Sequence, residues 1–200
     1  MSRIAKWSLT LVWLGGLVLA FAAPAQAGLI PAAVTVAPDS GNYRFTYSVV
    51  LPSNYSLHAG DYFTIYDFHG LMGGNQQPAG WTYSTSNVGQ TPPGILPVDD
   101  PKVPNLTWTY SGATISGSSG GVGLGDFSVL SGTNGMINSD FASTDHMMDN
   151  GRGVSNLTST STPDPNSVPP RTPEPASFVL LGLSVPVLGA WRWLKRRAAR

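Results

Sequence analysis

The chain has no cysteine among its 200 residues. That excludes disulfides, thiolate metal sites and a cysteine nucleophile, so the chain must be stabilised by core burial, metal ions or assembly. Glutamate is nearly as scarce, since Glu174 is the only one. Charged residues make up 11% of the chain, and the histidines are His58, His69 and His146. None of the three has a partner at the helical spacing of metal ligands. Between Gly28 and Pro170 only Arg44, Lys102 and Arg152 are basic against ten aspartates, a formal balance of −7. A span so poor in cations is a poor match for phosphate, which argues against a nucleic-acid partner. The same span lacks any window of sustained helical periodicity.

What is present is segregated. The net charge of zero arises because the remaining cations sit near the two ends. At the N-terminus, Arg3 and Lys6 precede an apolar stretch from Trp7 to Ala22, and Pro24 precedes an A-x-A site at Ala25 and Ala27. This is the composition of a secretory signal peptide over residues 1–27, handled by the Sec translocon and signal peptidase, with the mature chain starting at Gly28.

From Ala32 to Ser131 the pattern has a period of two. Tyr43, Phe45, Tyr47 and Val49 alternate with Arg44, Thr46 and Ser48, and DYFTIYDF (Asp61 to Phe68), GWTYSTS (Gly80 to Ser86), LTWTY (Leu106 to Tyr110) and DFSVL (Asp126 to Leu130) are further strand candidates. The proline-rich run Gly89 to Pro104 reads as an irregular loop. The expected fold is all-β, an antiparallel sandwich or open barrel of about 100–120 residues within 28–154. A signal-peptide helix would flank it on one side and a single transmembrane helix on the other. Residues 155–171 are rich in Ser, Thr and Pro and read as an extended spacer.

Motifs with chemistry are weak. Gly117 to Gly121 matches G-x-S-x-G around Ser119, but no helix start follows it, as a nucleophile elbow requires. Gly120 to Phe127 resembles a Gly-rich calcium repeat with its aspartate one place late and no second copy. Asp67 with His69, and Asp145 with His146 and Asp149, could share a face but read first as structural. Ten aspartates in oxygen-rich loops leave room for a surface Ca2+ ion, yet no liganding loop can be named. No cofactor, metal site or catalytic residue is expected. Asn54, Asn105 and Asn156 open N-x-[ST] triplets that chance explains. Trp81 and Trp108 are the residues that could stack on sugar rings, were the domain a carbohydrate-binding module.

The last 29 residues carry the most specific pattern. Pro173, Glu174 and Pro175 precede the uncharged apolar run Phe178 to Trp191, which Pro186 interrupts, and then come Arg192, Lys195, Arg196, Arg197 and Arg200. At about 1.5 Å per residue the run spans roughly 21–26 Å, a little short of the ~30 Å hydrocarbon core, and the basic cluster would hold the C-terminus in the cytoplasm. This arrangement resembles a PEP-CTERM protein-sorting domain over residues 172–200. The resemblance implies processing near Pro-Glu-Pro by an exosortase, a Gram-negative source, and association with exopolysaccharide or biofilm. The expected protein is thus a non-enzymatic one, held as an inner-membrane intermediate and then delivered to the cell surface or matrix. A carbohydrate-binding module is the alternative, and a secreted hydrolase the third reading.

Overall fold

A computed structural model describes residues 28–167. The expected signal peptide, spacer end, sorting motif and transmembrane segment, with the basic cluster, lie outside the described residues. Within them, every regular element is a β-strand and every strand pairing is antiparallel. The all-β antiparallel expectation therefore holds for this part of the chain.

Alternation builds the first hairpin. Strands β1 (Ile30–Asp39) and β2 (Asn42–Leu51) are joined through Ser40 and Gly41, both at positive φ (52° and 84°). That is the primed two-residue turn whose twist matches antiparallel strands. Phe45, Tyr47, Val49 and Leu51 on β2 are buried, as their period-two spacing predicts.

The chain then lays down β3 (Tyr55–Leu57), β4 (Tyr62–Ile65), β5 (Leu71–Gln76), β6 (Trp81–Ser86), β7 (Asn105–Tyr110), β8 (Ile115–Ser116), β9 (Val122–Ser131), β10 (Met136–Met147) and β11 (Gly153–Pro163). One sheet has the order β1-β2-β9-β5, and the other comprises the remaining seven strands. In the larger sheet β10 is the spine. One edge of it pairs with β11, and the other pairs with β4 and then with the short β3.

The two sheets share one aromatic core. Phe127 of β9 meets Phe63 of β4 edge-on, with ring centroids 4.9 Å apart. It also meets Trp81 at 4.9 Å and Trp108 at 5.7 Å, both edge-on. Phe63 is itself stacked between Trp108 (5.2 Å) and Phe141 (5.2 Å). Edge-to-face contacts add about 0.5–1.5 kcal/mol each beyond burial. The Trp108 indole N–H is buried with no partner among the described residues. Leaving it so costs on the order of 1–3 kcal/mol.

The spacer expectation for residues 155–171 is corrected over its first half. Gly153 to Pro163 is β11, paired with β10 from His146↔Gly153 to Met136↔Pro163. Asn156, Thr160 and Thr162 are buried. Backbone pairing and β-branched threonines hold this strand, with no need for an apolar stripe. Tyr47 also reaches across from β2 to donate its hydroxyl to the Ser161 carbonyl at 2.9 Å. The loop expectation for Gly89 to Pro104 stands, because those residues contain no strand.

Phe63 touches four other aromatic rings. Phe63→Ala should lower the unfolding free energy by about 3–5 kcal/mol in urea titration followed by tryptophan fluorescence. A loss under 1 kcal/mol would contradict this account of the core.

Candidate functional site

A polar, partly buried corner of the domain forms where β3, β4 and β10 meet. The turn His58-Ala59-Gly60-Asp61 links β3 to β4, closed by the Asp61 N–H donating to the His58 carbonyl at 3.0 Å. Gly60 has φ 100°, which a side chain rarely tolerates. The turn folds the Asp61 carboxylate back, and its Oδ2 accepts from the His58 backbone N–H at 2.7 Å. The same oxygen lies 3.1 Å from Nδ1 of His146 on β10. The His58 and His146 rings stack at 4.2 Å, and Ser56 Oγ is 3.0 Å from His58 Nε2.

Serine, histidine and carboxylate are therefore close but do not form a relay. The imidazole that meets Ser56 belongs to His58, while the one that meets the Asp61 carboxylate belongs to His146. A nucleophile needs the base that touches it to be oriented by the third group.

Beside this cluster lies an open cavity of about 620 Å³, bordered by Asp61, Tyr62, Ile95, Asp145, His146 and Arg152 among others. Asp145 is its most unusual neighbour. The residue is fully buried, and neither carboxylate oxygen has a hydrogen-bond partner among the described residues. Burial pushes its carboxyl up to about 8, and repulsion from Asp61 adds to the shift.

The other sequence candidates fall apart in space. Trp81 and Trp108 are corrected as sugar-stacking residues: both are buried against Phe63 and Phe127, so neither indole offers a face to a ligand. Ser119 is exposed in the loop between β8 and β9, and no helix follows it. Asp67 takes a left-handed φ of 53°, which breaks the strand alternation expected to align it with His69.

Asp67, Asp99 and Asp140 have structural work instead. They accept backbone N–H groups of Asp100 (2.9 Å), Gly89 (3.0 Å) and Val98 (2.7 Å), and so pin the proline-rich loop. Among the described residues no group of three His, Asp or Glu side chains is placed to hold a metal ion. Asn105 and Asn156 are buried and bonded, Asn105 Nδ2 to Asp99 at 2.8 Å and Asn156 Nδ2 to the Leu29 carbonyl at 3.0 Å. Sequence reasoning missed the Asp61–His146 contact because 85 residues separate the partners. The local signal was the turn His58 to Asp61, which places an aspartate beside a histidine backbone.

No protein-family model matches the chain, and no curated protein matches it.

The Asp145 carboxyl, with no counter-ion among the described residues, gives folding a pH dependence of defined sign. Its proton is retained to about pH 8 when folded, but is lost above about pH 4 when unfolded. The stability it contributes is complete below pH 4 and is lost as pH rises to 8. In the intact 200-residue chain, Asp145→Asn should leave the urea midpoint unchanged near pH 4 and raise it near pH 8. Parallel midpoints at both pH values would contradict the buried, unpartnered carboxyl.

Proposed function

We propose that the chain is an exported, non-enzymatic surface or matrix protein, in which a disulfide-free β domain is cargo for a C-terminal sorting signal read by an exosortase. One observation carries the reading. The sole glutamate, Glu174, lies between Pro173 and Pro175, directly ahead of an apolar run and a terminal cluster of five cations. The physical logic of such a tail is to stall in the membrane and present a rigid Pro-Glu-Pro segment at the outer surface. The domain upstream supports the cargo role. It meets the stability requirement of a cysteine-free exported chain by burying Phe45, Phe63, Phe127, Trp81 and Trp108 in one core.

An association with exopolysaccharide would then come from delivery to the matrix. A carbohydrate-binding module remains the alternative. With Trp81 and Trp108 buried, it would have to use the open cavity beside Tyr62 and Ile95.

Intact mass of the surface-delivered protein tests the sorting. The mature form should lack Trp191 to Arg200, and Glu174→Ala should leave the tail attached and the protein in the membrane fraction. Recovery of a surface form that still carries Arg192 to Arg200 would overturn the processing.

A further inference from the structure

The unpartnered carboxylate of Asp145 has a neighbour whose chemistry depends on processing. Gly28 is buried at the start of the described residues, against β10 and β11. A Cβ placed on Gly28 would lie 3.3 Å from Asp145 Oδ1, 3.3 Å from Ser143 Oγ and 2.8 Å from Asn156 Cβ. The Gly28 nitrogen hangs from the same α-carbon, so it lies within about 6 Å of that carboxylate oxygen. The next residue is firmly seated. The Leu29 side chain is wholly buried in the core, and its carbonyl accepts from Asn156 Nδ2 at 3.0 Å and from Ser143 Oγ at 3.5 Å. Gly28 is thus held by its neighbour against Asp145, at a spot where only a glycine fits without displacing Asn156.

We propose that the α-ammonium group released when the chain is cut between Ala27 and Gly28 is the counter-ion of Asp145. This rests on the export reading above, in which the A-x-A site ends at Ala27. Hydrolysis of the Ala27–Gly28 peptide bond consumes one water and yields an Ala27 carboxylate and a Gly28 amine, which takes up a proton at neutral pH. Before the cut, the Gly28 nitrogen is an amide and carries no charge. Asp145 then stays neutral, since a buried lone carboxylate is far costlier than its acid. After the cut, rotation about the Gly28 Cα–C bond is no longer restrained by a preceding residue, and the ammonium can swing to the carboxylate. Other charged groups near Asp145 do not fill that role. Asp61 repels it and is engaged with His146, and Arg152 at the cavity rim is exposed, with no ion pair to it. Removal of the leader would therefore convert a destabilising buried acid into one half of a buried pair, and lock the domain in its folded form only after export.

The test is amine acetylation of the exported, leader-processed product at pH 7, read by peptide mass spectrometry. The N-terminal peptide should begin at Gly28. Its α-amine should react at least about tenfold more slowly in the folded protein than in urea, because a one-unit rise in amine pKa leaves a tenth of the reactive form. Lys102, which is exposed, is the internal standard and should change little. Asp145→Asn should restore most of the lost reactivity. In the wild type the pH midpoint of reaction should lie above the ordinary α-amine range of about 7.7–8.0, a shift that steric cover alone does not produce. That midpoint decides the matter should Asp145→Asn fail to fold. A peptide beginning at Gly28 with an unprotected amine and an ordinary midpoint overturns the pairing and leaves the export reading standing. A peptide beginning elsewhere overturns the cut after Ala27 and the pairing with it, and one beginning at Met1 overturns the signal-peptide reading as well.

Discussion

The contact on which the rest of the domain depends is the insertion of Phe127 between Phe63, Trp81 and Trp108. There one ring of the smaller sheet meets three rings of the larger sheet. Without cysteine there is no covalent link to share that load. The hydrophobic effect must then hold the sheets together, so the aromatics that could have been a ligand surface are committed to the interior. Burial of Trp81 and Trp108 follows from that constraint, and it removes them as sugar platforms.

The polar parts of the domain follow from the same geometry. A sheet whose inner face is aromatic at its centre can be polar at its end. There β10 and β11 contribute Ser143, Asp145 and Asn156 to buried positions. Most such groups need partners, and Asn156 finds one in the Leu29 carbonyl. Asp145 does not, and it is the one carboxyl among the buried unpartnered groups of the described residues. The aspartates outside that corner hold the long proline-rich loop by accepting its backbone N–H groups, so much of the domain's acidity serves to fasten a segment that cannot join a sheet.

Legibility in the sequence tracked how each element is stabilised. Phe45, Tyr47 and Val49 on β2, and the aromatic–threonine alternation of β6 and β7, announced themselves because one face is apolar. The strand β11 did not, because Asn156, Thr158, Thr160 and Thr162 give period two in polar residues alone. A run of alternating threonines is the same signal written in β-branching, and a pattern without apolar residues looks like a spacer. The candidate corner was half legible. The turn from His58 to Asp61 is local and readable, whereas His146 and Asp145 come from β10, more than 80 residues away.

The sequence by itself determined the absence of disulfides, the segregation of charge, the β character of the middle and the tripartite pattern of the tail, on which the proposed sorting rests. These are properties of composition and of short-range order, and no fold is needed to read them. Only the tertiary structure decided which aromatics are core, that residues 153–163 complete the larger sheet, and that His58, Asp61 and His146 meet. The same holds for Gly28 lying against Asp145. Each of those depends on which strands pair and in what register, and that is settled by the shared burial of distant side chains.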